Sequence, residues 1–285
     1  MGYVMSHNNQ KKTAVINDLS GFGRCSLTVS IPILSAMRIQ CCPLPTSIFS
    51  NHTGFPSHFM TDFTDKMEPY FTEWKKLGLQ FDGIASGFLG SADQIEIVQK
   101  FFKEFRTEKT VILIDPVMGD YGKAYQTYTE ELCQRMKTLI SYADILTPNV
   151  TEACILTDTP YQENWKQGEL VQMAEQLLEQ GPDKVVITGI VCGTYLGNLC
   201  CEKGKAPQML RTKKIGKERS GTGDVFASIL LGDAVNGVPL VDSVKKASKF
   251  IKACIKRSVE LDIPTTDGVC FEELLDQLIP ASSRK

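Results

Sequence analysis

No stretch of this chain reads Gly-x-x-x-x-Gly-Lys-Ser/Thr, so any nucleotide bound here is held without a lysine-bearing phosphate loop. The protein-kinase elements His-Arg-Asp and Asp-Phe-Gly are also missing. Histidine is scarce, with only His7, His52 and His58, and none of the ten cysteines forms a Cys-x-x-Cys. Cys41-Cys42 and Cys200-Cys201 are adjacent pairs, which rarely bridge each other. A zinc site and a disulfide framework are therefore set aside in favour of reduced thiols in a cytoplasmic protein. No base stands near Cys25 or Cys154 in sequence to activate either as a nucleophile. Neither sign of charge dominates: the net charge is −2, which argues against nucleic acid or an anionic membrane as the main partner. No apolar run is long enough to span a membrane. Residues 1–12 are polar and lack the apolar centre of a signal peptide; they are expected to be a flexible tail before one domain over 13–285. Finally, nothing acidic occurs between Asp18 and Asp62. Gly21-x-Gly23 lacks both the third glycine and the ribose-binding acid of a dinucleotide fingerprint, and a substrate-side loop is the better reading.

What is present is an alternation. Strand-like runs at 13–17, 39–46, 82–86, 110–114, 143–147 and 184–188 are interleaved with helical patterns at 27–37, 62–77, 91–106, 129–142, 169–180, 223–236, 240–260 and 271–278. Two further runs, 194–200 and 208–215, read as an antiparallel pair around Lys203-Gly204-Lys205, and 47–57 reads as a loop. The aromatic stripe Phe63, Tyr70 and Trp74 is core or a dimer surface. The pattern predicts an α/β fold: a central, mostly parallel sheet flanked by helices on both faces. Polar residues gather where the strands end, at Asn17, Asp18, Ser86, Asp115, Asn149 and Thr188. Ligands of such sheets bind beyond the carboxyl ends of the strands.

The stretch Ser220-Gly221-Thr222-Gly223-Asp224 opens an apolar helix. Read alone it is either a capped helix start, with Thr222 or Asp224 as the cap, or an anion site with a carboxylate beside it. Lys213, Lys214, Lys217 and Arg219 just before it are either phosphate ligands or a solvated strand edge.

Several blocks together resemble the pyridoxal kinases of the ribokinase-like superfamily. They are Phe49-Ser50-Asn51-His52-Thr53-Gly54, Ser86-Gly87-Phe88-Leu89-Gly90, Asp115-Pro116-Val117-Met118-Gly119-Asp120, Thr147-Pro148-Asn149-x-x-Glu152, Gly181-Pro182-Asp183 and Gly221-Thr222-Gly223-Asp224, in the family's order. The resemblance implies a ribokinase-like fold and ATP-dependent phosphorylation of the 5′-hydroxymethyl group of pyridoxal, pyridoxine or pyridoxamine. It implies Asp224 as the base, with the backbone of Gly221, Thr222 and Gly223 as the anion hole. Asp115, Asn149, Glu152 and Thr188, with Thr222, would lie at ATP, and Asp115 and Glu152 would hold Mg²⁺. Asn17, Asp18, His52, Thr53 and Phe88 would line the acceptor, although His52 also reads as a structural hydrogen-bonder. Residues 120–127, with Tyr121, Gly122 and Tyr125, would form a flap. A homodimer and a monovalent cation near the anion hole are implied as well. Three departures stand out. Asn17-Asp18-Leu19-Ser20-Gly21 resembles the opening of hydroxymethylpyrimidine kinases, Phe88 lacks a hydroxyl, and Gly189 follows Thr188. The alternatives are therefore a hydroxymethylpyrimidine kinase of thiamine synthesis and a non-catalytic B6-binding protein.

Overall fold

The computed structural model describes residues 6–125 and 128–280. Of the expected flap, 126 and 127 lie outside the described residues, as do 1–5 of the expected tail. In chain order the elements are β1 (Lys12–Ser20), α1 (Leu27–Ala36), β2 (Gln40–Phe49), β3 (Met60–Asp62), α2 (Thr64–Lys76), β4 (Gly83–Ser86), α3 (Ala92–Phe105), β5 (Val111–Ile114), β6 (Gly119–Asp120), β7 (Lys123–Ala124), α4 (Glu130–Lys137), β8 (Ile145–Leu146), α5 (Val150–Leu156), α6 (Gln167–Glu179), β9 (Lys184–Cys192), β10 (Tyr195–Glu202), β11 (Gln208–Lys213), α7 (Thr222–Val235) and α8 (Leu240–Glu260). Short 3₁₀ turns cover Thr265–Asp267 and Glu272–Leu278.

Nine strands form one sheet in the order β11-β10-β9-β8-β5-β4-β1-β2-β3. The strands from β9 to β2 pair in parallel, whereas β10 and β11 at one edge and β3 at the other pair antiparallel. The strands alternate sides, as a period of two requires. Ala14, Ile16, Ile84, Ile112, Ile114 and Leu146 face the helices α2 to α6, while Val15, Ala85, Leu113 and Ile145 face α1, α7 and α8. The second layer is tightest at α7, where every residue from Val225 to Asp233 is buried. That helix is apolar around its whole circumference because neighbours cover it on all sides.

The chain leaves β1 toward β2 on one side and later builds β4, β5, β8 and β9 on the other. The direction reverses between β1 and β4, and the crevice at such a reversal is where open α/β sheets hold ligands. A register shift between Asn17 and Leu19 in the β1–β2 ladder bends the chain at that point.

The expected 129–142 helix stops at Lys137 and continues as a single 3₁₀ turn over Ile140–Tyr142. The final helix expected at 271–278 is likewise 3₁₀ rather than α. Four elements were unanticipated: the three-residue edge strand β3, the two-residue strands β6 and β7, and the seven-residue helix α5.

Candidate active site

The glycine turn sets the geometry. Gly221 has φ 77°, and a Cβ there would lie 1.9 Å from the carbonyl oxygen of Arg24. Only glycine permits this approach of the post-β1 loop to the start of α7. Thr222, Gly223 and Asp224 then form the first turn of α7, where amide N–H groups lack intrahelical partners and carry the positive end of the helix dipole. An anion at this turn would meet main-chain donors, which suits a helix that no lysine loop precedes. Gly221 itself is the N-cap, so the expectation of Thr222 or Asp224 as the cap does not hold. The Thr222 hydroxyl donates back to Arg219 O at 3.3 Å.

Asp224 stands half-buried on the crevice floor. Removal from water pushes its carboxyl up to about 6, opposed by hydrogen bonds from the Ser26 amide and the Asn17 side chain. The Asn17 amide Nδ2 donates to Asp224 Oδ1 at 3.2 Å. Asp115, just past β5, has its carboxyl raised by burial and by the charge of Asp224, while the Thr147 hydroxyl donates to it at 3.1 Å. Glu152 is buried and raised well above the ordinary range by burial and by Asp115. Its two oxygens accept the amides of Asn149 at 2.8 Å and Met118 at 3.2 Å. Asn149 is the N-cap of α5 and completes a capping box with Glu152; its Nδ2 also donates to Gly119 O at 2.8 Å. Thr188 is bridged to Asn149, and its amide donates to Pro148 O. The polar residues expected at strand ends therefore form a row across adjacent strands, from Thr188 through Asn149, Asp115 and Ser86 to Asn17.

Below Asp224 lies a cavity of about 20 Å³ walled by Asn17, Ser30, Ser86, Asp115 and Ser228. It has room for one water, and the buried Ser86 hydroxyl has no protein partner.

The residues expected at the acceptor divide into two groups. Asn17 and Asp18 are buried in the floor, with Phe88 half-buried between Phe49 and Tyr128 at ring distances of 6.3 and 6.2 Å. His52 and Thr53 lie higher, on the rim, and Thr53 is exposed. His52 Nδ1 accepts the amide of Gly54 at 3.0 Å, so Nε2 carries the proton it shares with Thr266 O at 2.7 Å. The ring packs against Phe55 at 4.7 Å and against Gly23, where a Cβ would fall 2.3 Å from it.

The expected flap opens as a two-residue hairpin between β6 and β7, with Tyr121 and Gly122 both at positive φ (51° and 74°). Gly122 N donates to Thr151 Oγ1 at 2.9 Å, which ties the turn to α5. Arg219, read from sequence as a phosphate ligand or a solvated edge, instead donates to Pro264 O and Gly268 O. Sequence reading missed Ser26, Arg24, Thr266 and Glu272. The glycines around Arg24 and Ser26 were the only signal, and they do not reveal what packs against them.

The sheet, the reversal between β1 and β4, and a carboxylate at a glycine-turn helix start define a ribokinase-like small-molecule kinase. The family model for phosphomethylpyrimidine kinase matches residues 75–266. The chain belongs to that family, within its pyridoxal kinase group. It is 28% identical over 260 residues to the pyridoxine/pyridoxal/pyridoxamine kinase of Bordetella avium, covering 86% of each chain. A Bacteroides thetaiotaomicron protein described as a phosphomethylpyrimidine kinase is 38% identical and covers 95% of this chain and 96% of its own; its form crystallised with pyridoxal superposes with a TM-score of 0.91. The pyridoxal kinase of Lactobacillus plantarum is 26% identical, with a TM-score of 0.87 over 94% of this chain and 96% of its own.

Proposed function

We infer that this protein is an ATP-dependent kinase of vitamin B6 that phosphorylates the 5′-hydroxymethyl group of pyridoxal, pyridoxine or pyridoxamine. The observation that carries this reading is Asp224: a carboxyl raised to about 6 at the amide-rich start of α7, facing the crevice between β1 and β4. A base with a raised value takes a proton more effectively near neutral pH than an ordinary carboxylate. In the transfer, the substrate oxygen attacks the γ-phosphorus in line. The O–P bond forms as the bond to the ADP oxygen breaks, and the hydroxyl proton passes to Asp224. The amides of Gly221, Thr222 and Gly223 meet the negative charge of the moving phosphoryl group. Pyridoxal in the Bacteroides relative supports the acceptor class.

The fit to Mg²⁺ rests on the donors. Asp115 and Glu152 are oxygen ligands whose charges oppose each other, and neither forms an ion pair among the described residues. Mg²⁺ is commonly held by one or two carboxylates together with water and substrate phosphates, and Asp115 and Glu152 are carboxylates of that kind. Asp115 would hold it directly; Glu152, with both oxygens already accepting amides, would do so through water. When bound, Mg²⁺ neutralises phosphate charge. Asn149 and Thr188 border the nucleotide side, Phe88, His52 and Thr53 the acceptor side, and the β6–β7 hairpin covers the phosphates.

A homodimer and a cytoplasmic setting complete the proposal. Exposed Phe59 and Met60 at the β3 edge offer apolar surface for a second copy. No described helix is long and apolar enough to cross a membrane.

Turnover of a panel of acceptors with MgATP tests the reading, together with the Asp224→Asn variant. We expect B6 vitamers to be phosphorylated and kcat to fall by about 10²-fold or more in the variant, with ATP affinity little changed. Turnover of hydroxymethylpyrimidine with no B6 vitamer accepted would overturn the substrate. Repeating the assay across K⁺ and Na⁺ tests the monovalent cation.

A further inference from the structure

We propose that Asn17 and Asp18 are positioning residues for Asp224 and do not contact the acceptor. This rests on Asp224 being the base.

The amide of Asn17 can face only one way. Its Oδ1 accepts two main-chain amides, from Asp18 and from Phe88, both at 2.9 Å. Flipping the group would turn an NH₂ toward two N–H donors, so Nδ2 is committed to the carboxylate of Asp224 at 3.2 Å. Gly87 makes the room: a Cβ there would sit 2.6 Å from Nδ2. Asn17 therefore clamps Asp224 from the β1 side, and both ends of its amide are occupied.

Asp18 is consumed in the same way, one step further back. Its Oδ2 accepts the Ser20 hydroxyl at 2.8 Å, and its Oδ1 accepts the Ser26 hydroxyl at 2.5 Å. The second bond holds Ser26 at φ 54° and ψ −134°, a conformation that glycine adopts freely and serine does not. Serine stays there because Asp18 holds its hydroxyl while the chain turns into α1. In that conformation the Ser26 amide is one of the groups that stabilise the Asp224 carboxylate. Two arms from β1 thus converge on one carboxyl group, one through the Asn17 side chain and one through the Ser26 backbone. Both residues are over nine-tenths buried and their polar atoms are turned toward these protein partners, so neither presents itself to an acceptor hydroxyl or ring nitrogen in the crevice.

The test is steady-state kinetics of the full chain with MgATP and pyridoxal. Asn17→Asp keeps the acceptor that the Asp18 and Phe88 amides need and replaces only the donor facing Asp224. Ser26→Gly removes the hydroxyl held by Asp18 while tolerating the backbone angle, so it also reports if the first variant does not fold. For both variants the expected result is a kcat about 10- to 100-fold lower, with KM for pyridoxal and ATP within about threefold of the parent. A KM for pyridoxal raised about tenfold or more at parental kcat would make these residues acceptor contacts and overturn the proposal. Parental kinetics in both variants would overturn it too. Asp224→Asn, assayed in parallel, separates the two readings. If that variant is inactive and the others behave as the parent, only the positioning role falls; if it retains turnover, the base assignment falls first and the positioning role with it.

Discussion

Arg24 and Glu272 are joined Nε to Oε1 at 2.6 Å across 248 positions of sequence. Arg24 also donates to Asp267 O, His52 shares a proton with Thr266 O, and Arg219 donates to Pro264 O and Gly268 O. One short segment, 264–272, thus ties together the loop after β1, the rim loop of the acceptor side and the approach to the glycine turn.

Removing that tie should alter catalysis more than stability. The ion pair is partly exposed, and such pairs contribute about 0–1 kcal/mol. Arg24→Ala is expected to lower kcat/KM for pyridoxal by about fivefold or more while the melting temperature drops by no more than about 3 °C. Kinetics beside calorimetry check this; a large fall in melting temperature with unchanged kinetics would make the segment a purely structural brace.

Proton linkage gives two pH profiles of opposite sign. Asp224 must be ionised to act as base, so kcat/KM should rise with pH through about 6 and then level off. The ligand-free protein should do the reverse. Burial raises Asp224, Asp115 and Glu152 above their unfolded values, so the native state holds more protons than the unfolded one between about pH 4 and 7. The stability this gives is fully present below the unfolded values and is lost as pH rises through the folded ones. Denaturant titrations of the ligand-free protein at pH 5 and pH 8 test it, with the higher midpoint expected at pH 5.

Glu152→Gln separates a metal role from a cap. A glutamine can satisfy only one of the amides of Asn149 and Met118, leaving a buried donor unpaired at a cost of about 1–3 kcal/mol. The variant should melt lower and require more Mg²⁺ for half-maximal turnover. A lowered melting temperature with an unchanged Mg²⁺ titration would leave Glu152 as the cap of α5 alone.

Gly221→Ala should be severe. The alanine would carry the left-handed backbone penalty and would drive its methyl into the Arg24 carbonyl, which is main chain and cannot swing aside. We expect at least ~2 kcal/mol of destabilisation and loss of turnover in whatever fraction still folds. A stable, active variant would show that the post-β1 loop can retreat from the turn.

How much of this was legible in the sequence varied with burial and length. The long, strongly periodic α8 matches its expected limits, 240–260, because 21 residues with one apolar stripe leave little choice. β3 was invisible because Met60, Thr61 and Asp62 are all exposed and only pairing with β2 makes them a strand. α5 was overlooked although Asn149-x-x-Glu152 is a capping-box signature; seven residues are too few to show a period. The ionisable row at the strand ends could be read because parallel strands bury nearly everything else. The bonding of Asn17 and Asp18 could not: their position beside the acceptor follows from the sheet, but whether they face a ligand or the base depends on Gly87 and Ser26, which are distant from one or the other in sequence.

The strap over 264–272 also has a consequence in time. Arg24 emerges from the ribosome 248 positions before Glu272, which at 5–20 residues per second is roughly 12 to 50 seconds of synthesis. A chain paused at residue 260 already carries every strand of the sheet, the glycine turn and Asp224, yet the partners that Arg24, His52 and Arg219 take up in 264–272 are still to be made. Completion of the acceptor side therefore waits on the synthesis of residues 264–272.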